Sequence, residues 1–288
     1  MSAVVPDLLP AGAARLELPV GGGRLAAIAT APAGPGAAAG TVVLVPGYTG
    51  SKEDFQPLLE PLSAAGHRAV ALDQRGQFES AGTGDRGSYT VASLAADLLA
   101  ALASLDDGPV HLVGHSFGGL VCRAAVIAAP ESVRSLVLMG SGPGALGGDR
   151  RTGLELFLPL LDQYDLASAI WLVEAVQAAD PNRAPVDPAV AAFGRRRMLA
   201  GDPAALAGMG RALLEEPDRT DELAATGVPI LVLYGEADDA WPPVVQTAMA
   251  HRLGAPVEVV GGCGHSPAAD APQPTAEALC RFFRALAR

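Results

Sequence analysis

The sequence predicts an α/β protein: a mostly parallel sheet with helices on both faces, interrupted by a long helical insert. Three observations carry this. Short apolar runs alternate with amphipathic ones in a strand–helix–strand rhythm. Several runs, such as Thr41–Val45 and Arg68–Leu72, are continuously apolar or nearly so, the mark of strands buried on both faces. Finally, Gly114-His115-Ser116-Phe117-Gly118 matches G-x-S-x-G and stands between one such strand and a helix. A sharp turn there lifts the serine hydroxyl to the C-terminal edge of the sheet. The flanking glycines are expected because a side chain at either position would strike the neighbouring strand or helix.

The elements follow in order. Residues 14–20 and 24–29 read as a hairpin around Gly21-Gly22-Gly23. A Pro/Gly/Ala linker covers 31–40, a strand 41–45 and a turn 47–50. An amphipathic helix runs over 54–65 and stops at Gly66. The strand at 68–72 leads into a polar loop, 73–88, in which Asp73 is expected to pair with Arg75. Thr90 caps a helix that reaches about residue 105. The strand 110–113, the helix 118–129 and the strand 133–139 complete the first half.

The rhythm then breaks. Residues 141–227 show only helical patterns, at 152–161, 166–178, 188–200 and 203–215, with a short turn at 221–225. The strand 229–234, the helix 243–253, the strand 256–260 and an amphipathic helix at 274–287 restore it. This divides the chain into a core of residues 1–140 and 228–288 and an insert of 141–227. The insert leaves and returns beside strand ends, which is where a cap over a site would be attached.

The chain of 288 residues is half hydrophobic, with 34 Gly, 24 Pro and few aromatics, which suits a dense globular protein and argues against disorder. Its net charge of -11 disfavours nucleic acid as a partner. The first 16 residues lack a basic stretch followed by an apolar run, so no signal peptide is expected. No apolar run approaches the roughly 18 residues a membrane span needs. The three cysteines, Cys122, Cys263 and Cys280, lack metal-ligand spacing and read as incidental thiols of a cytoplasmic protein. No metal or cofactor is expected, and the partner is a small-molecule substrate met by a monomer or homodimer.

A serine needs a base to become a nucleophile. Of the five histidines, His67 is expected at the surface and His111 at the wrong end of its strand. His115 should point away from Ser116, and His251 lies within a helix. His265 alone follows the last strand, in Gly261-Gly262-Cys263-Gly264-His265, at the sheet edge where ligands of open α/β sheets gather. The base needs a carboxylate behind it. Asp238, in the loop after the strand 229–234, is the first choice, with Asp239 and Glu236 as alternatives. The oxyanion donors should be the backbone N–H groups of Phe117 and Tyr48; Pro46 has none to offer.

On Gly47-Tyr48-Thr49-Gly50-Ser51, Asp73-Gln74-Arg75-Gly76-Gln77, the elbow at 114–118, the loop 235–242 and Gly264-His265, the chain resembles the α/β-hydrolase family. The resemblance implies an eight-stranded, mostly parallel sheet with a cap between strands six and seven, and a triad of Ser116, Asp238 and His265. Pro46-Gly47 replaces the His-Gly that many relatives carry. Serine rather than aspartate at 116 argues against epoxide and carbon–halogen cleavage.

The reading that follows is an esterase-type serine hydrolase, a carboxylesterase acting on an ester or thioester through an acyl-enzyme. Tyr48, Phe117, Trp171 and Trp241 are expected at the substrate pocket, and the insert's Leu156, Phe157, Leu160, Ile170 and Val176 supply apolar candidates. Arg195-Arg196-Arg197 reads first as a solvated face and second as an anion site. The same triad also serves cofactor-free lyases, haloperoxidase-type perhydrolases and carbon–carbon bond hydrolases, and a receptor without catalysis is a further alternative.

Overall fold

A computed structural model describes residues 9–33, 39–179 and 186–287. The first eight residues and part of the linker expected at 31–40 lie outside them. Eight strands form one sheet: β1 (Ala13–Val20), β2 (Gly23–Thr30), β3 (Thr41–Val45), β4 (Arg68–Leu72), β5 (Val110–His115), β6 (Val133–Met139), β7 (Ile230–Gly235) and β8 (Val257–Val260). Their spatial order is β1-β2-β4-β3-β5-β6-β7-β8. The β1–β2 hairpin pairs along its full length, β2 runs antiparallel to β4, and every later pairing is parallel.

Alternation along the strands builds two cores. Val43 and Val45 of β3 face one side with Leu112 of β5 and Val232 of β7. There α2 (Val91–Leu105), α3 (Phe117–Ala128) and α10 (Pro243–Leu253) cover them. Val42 and Leu44 face the other side with Val113 and Leu233, under α1 (Gln56–Ala64) and α12 (Pro272–Leu286). Thr90 caps α2 as expected, its hydroxyl accepting from the Ser93 N–H. The helix foreseen over 54–65 begins as a 3-10 turn at Lys52–Phe55. A short helix that the sequence did not announce, α11 (Pro267–Asp270), directly follows His265.

The insert contributes α4 (Gly148–Phe157), α5 (Leu160–Gln163), α6 (Leu166–Ala178), α7 (Pro188–Ala200), α8 (Pro203–Glu215) and α9 (Thr220–Ala224). Arg123, buried on α3, gathers both its ends. Its guanidinium donates to the Pro143 and Pro217 carbonyls and, at 2.7 Å, to Glu216. Asp202 ties the start of α8 to the loop before α2, accepting from Tyr89 Oη at 2.6 Å and from the Gly84 N–H at 2.9 Å.

Three expectations fail here. Asp73 does not hold Arg75. Its carboxylate takes the Lys52 ammonium at 2.8 Å and the Lys52 N–H at 2.7 Å, both residues being fully buried. Arg75 instead reaches Asp97 on α2, at 2.6 Å. Lys52 reaches Asp73 from the 3-10 turn at Lys52–Phe55. His67 is not at the surface but 2 % exposed, because Phe283 of α12 closes over it with ring centroids 5.3 Å apart. The insert's first helix also starts earlier than expected, at Gly148, and breaks before α5.

His67 and His111 share that end of the sheet, their rings edge to face at 5.8 Å. Burial pushes the His111 imidazole down to about 4, with charge on His67 and Arg134 acting the same way. A depressed imidazole contributes stability that is present above its unfolded value near 6.5 and lost as pH falls toward about 4. Replacing the pair His111 and Ser135, which share a 2.7 Å hydrogen bond, by Phe and Ala removes that dependence. Urea midpoints should therefore fall less steeply between pH 6.5 and 4 in the double variant, the difference in stability reaching about 3 kcal/mol.

Candidate active site

Ser116 stands between β5 and α3 in a left-handed conformation, φ 54° and ψ -121°, that side chains rarely adopt. Such a residue costs of order 1–3 kcal/mol and persists only where its surroundings dictate it. The elbow glycines supply part of that. A Cβ at Gly114 would stand 2.6 Å from the Gly118 carbonyl oxygen, and one at Gly118 would overlap the Val45 carbonyl of β3. The Ser116 N–H is held by the Met139 carbonyl at 2.9 Å.

Three sheet-edge loops converge on this turn. His265 Nε2 lies 2.9 Å from Ser116 Oγ, and His265 Nδ1 lies 2.9 Å from Asp238 Oδ1. A carboxylate can only accept, so Nδ1 carries the ring proton and Nε2 is left to receive one. The Asp238 side chain is fully buried and saturated: it also accepts from the Ala240 N–H and from Gln246 Nε2, each at 2.9 Å. Burial works to raise its pKa, but the His265 hydrogen bond and charge, with these donors, hold it below the ordinary carboxylate range. Asp239 points elsewhere, into a bidentate pair with Arg150 of α4 at 2.8 and 2.9 Å. Glu236 accepts from the Gly262 N–H at 3.2 Å. Of the three candidate acids, Asp238 alone meets the ring.

His115 turns away from the hydroxyl, as its place in the elbow requires. Its Nε2–H donates to the His265 carbonyl at 2.8 Å, which fixes the backbone of the loop that carries His265. Burial, with the nearby His265 ring, pushes His115 down to about 4, so it stays neutral and able to donate.

The turn at 47–50 lies against the serine: a Cβ on Gly47 would stand 3.1 Å from Ser116 Cβ. The Tyr48 N–H and the Phe117 N–H have no hydrogen-bond acceptor among the described residues. Two glutamines of the 73–77 loop hold this turn from behind. Gln74 Nε2 donates to the Pro46 carbonyl at 2.9 Å. Gln77 Nε2 donates to the Gly47 carbonyl at 2.7 Å and to the Tyr48 carbonyl at 3.1 Å. Gln77 Oε1 in turn accepts from the Gln74 N–H at 3.0 Å. With its carbonyls tied back, the turn's N–H groups are set on the other side. Gln77→Leu should therefore lower kcat roughly 10- to 100-fold with little change in KM, part of the ~10²–10³ one oxyanion donor is worth; steady-state kinetics on an ester checks the split.

The sequence quoted these glutamines in a motif but gave them no task, and it offered no sign of Gln246. Side-chain amides behind a site carry no spacing signal. The expected pocket residues divide. Tyr48 reaches the insert, its phenol donating to the Leu206 carbonyl at 2.6 Å. The Phe117 side chain is wholly buried in the core, so only its backbone can serve a substrate. Trp241 is 2 % exposed and donates to the Gly144 carbonyl at 3.2 Å, its ring centroid 6.4 Å from that of His265. Trp171, on α6, is 59 % exposed. The three thiols are free and buried, and burial pushes Cys122, Cys263 and Cys280 up, away from nucleophilic thiolates. No group of three or more metal-ligating side chains occurs among the described residues, and no helix there is long and apolar enough to cross a membrane.

Comparison with known proteins agrees with this fold. The model of the alpha/beta hydrolase family matches residues 42–278. Over 245 residues the chain is 31 % identical to the 2-hydroxy-6-oxononadienedioate/2-hydroxy-6-oxononatrienedioate hydrolase of Paraburkholderia xenovorans, covering 80 % of this chain and 82 % of that one. Over 100 residues, 35 % of this chain, it is 41 % identical to the candidate carbamate hydrolase RutD of Variovorax paradoxus, and there it spans only 37 % of the relative's length. Among solved structures, a thermophilic esterase from Thermogutta terrifontis superposes with a TM-score of 0.76 at 23 % identity, over 95 % of this chain and 99 % of that one, a likeness of fold.

Proposed function

The chain belongs to the α/β-hydrolase family, and from that membership we propose that it is a serine hydrolase cleaving an ester-type bond of a small, largely apolar substrate through an acyl-enzyme. The observation that carries this is the unbroken contact chain from Ser116 Oγ through His265 to Asp238, 2.9 Å at each link. In the proposed reaction His265 Nε2 takes the Ser116 proton as Oγ bonds to the acyl carbon. The carbonyl electrons move onto oxygen, which the Tyr48 and Phe117 N–H groups receive. The carbonyl re-forms as the C–O bond to the alcohol breaks, and the His265 proton leaves with the alkoxide. Water, deprotonated by the same imidazole, then attacks the acyl carbon, and the acid departs with Ser116 restored. Positioned proton transfer contributes roughly 10²–10⁴-fold and each oxyanion donor about 10²–10³. The helical insert, tied to the oxyanion turn through Tyr48, serves as the cap over the site.

A second reading, hydrolysis of a carbon–carbon bond next to a ketone, is favoured by the 31 % identity to the dioate hydrolase. The two are separated by turnover of p-nitrophenyl acetate through octanoate against turnover of a vinylogous 1,5-diketone acid. The proposal expects turnover of the short esters at least tenfold above that of the diketone. Diketone cleavage with negligible ester turnover would contradict it.

A further inference from the structure

Gln246, in the first turn of α10, is wholly buried, and both its amide protons go to oxygens of the loop that carries Asp238. Its Nε2 donates to Asp238 Oδ2 at 2.9 Å and to the Trp241 carbonyl at 2.7 Å. We propose that Gln246 is a positioning residue of the proton path: by bonding Oδ2 it draws charge away from the oxygen that meets His265, and so limits how firmly Asp238 holds the imidazolium formed during reaction. This rests on the serine-hydrolase reading above.

The carboxylate divides its partners. Oδ1 takes the His265 Nδ1–H and the Ala240 N–H, each at 2.9 Å, while Oδ2 has Gln246 as its one donor among the described residues. The backbone closes on Oδ2 as well, since a Cβ on Gly140 would stand 3.1 Å from it. The sense of the amide is fixed by its partners, because a carboxylate and a carbonyl can only accept. Turned over, the amide would set Oε1 against both. In the arrangement found, Oε1 is buried without a partner among the described residues. A buried acceptor is costly to leave unmet. The site keeps a donor on Asp238 all the same.

The Asp238 side chain is fully buried, and a buried carboxylate holds a neighbouring cationic ring strongly. A hydrogen bond to its second oxygen spreads that charge and brings the positive end of the amide dipole near the ring. The titratable groups around the ring do not take this part. His115, with ring centroids 4.9 Å apart, is pushed down to about 4 by burial and stays neutral. Burial pushes the Cys263 thiol up, so it too stays neutral. Asp239 is paired with Arg150. Glu236 and Asp270 act on Cys263, and Asp54 acts on His115. On α10 itself the charged residues, His251 and Arg252, lie in the last turn. The group that α10 presents to the pair is the neutral amide.

The test is the pH dependence of kcat/KM for a p-nitrophenyl ester, beside an NMR titration of the isotope-labelled His265 ring without substrate, its signal assigned by its loss in His265→Gln. In Gln246→Met the proton affinity of the ring should rise about three- to tenfold, so that the acidic limb of the profile and the midpoint of the ring both move up by about half to one pH unit. Above that limb kcat/KM should stay within about threefold of wild type. In an Asp238→Asn background the same change should leave the midpoint where it was. An amide that merely fastens the loop 238–241 predicts a similar loss at every pH with the midpoint unmoved, or an equal movement without the carboxylate, and either result overturns the proposal. Thermal melts show whether Gln246→Met folds, and Gln246→Leu repeats the test if it does not; failure of both to fold would make the residue a structural fastener and overturn the proposal as well. If the midpoint moves as expected and no ester turns over, the coupling stands and the ester reading falls. If esters turn over while the midpoint stays, the coupling falls alone.

Discussion

Ser116→Ala and His265→Gln should each lower kcat for ester hydrolysis by at least about 10³-fold while leaving the fold intact. The Ser116 hydroxyl lies 2.9 Å from His265 Nε2. In the proposed reaction the imidazole takes its proton. Members of such a unit are not additive, so the double variant should be no worse than the more damaged single one. Stopped assays at saturating ester, beside thermal melts of each variant, check both parts. A His265→Gln enzyme within tenfold of wild type would show that some other group takes the proton.

Asp238→Asn should cost roughly 10⁴-fold in kcat, the scale on which loss of the orienting carboxylate acts in this kind of triad. The amide can present its NH₂ to His265 Nδ1 and so favour the wrong tautomer, with no volume change to disturb packing. Asp239→Asn, by contrast, removes only a half-exposed pair with Arg150 and should change kcat less than about threefold. The comparison is sharp because the two residues are adjacent. Equal losses in both variants would mean that the loop is damaged as a whole rather than the proton path.

The neighbouring acids show how far the sequence could be read. Asp238, Asp239 and Glu236 all follow β7, and spacing alone ranks them without separating them. What separates them is three-dimensional: Gln246 on α10 and the Ala240 N–H draw one carboxylate inward, and Arg150 on α4 draws the next outward. The strands, the elbow and the insert's helices were legible because periodicity and glycine placement are local. The Lys52–Asp73 pair, the buried His67 and the exposed Trp171 were not, because each depends on a partner or a packing surface far along the chain. The same holds for Gln74 and Gln77, whose task exists only once the turn at 47–50 is laid over them.

The proton path from serine to imidazole to carboxylate is tested most directly by covalent labelling with a fluorophosphonate, followed by peptide mass mapping. One adduct per chain on the peptide that carries Ser116, absent in Ser116→Ala and strongly slowed in Asp238→Asn, is the predicted result. Labelling at another residue, or none in the folded wild type, would contradict it.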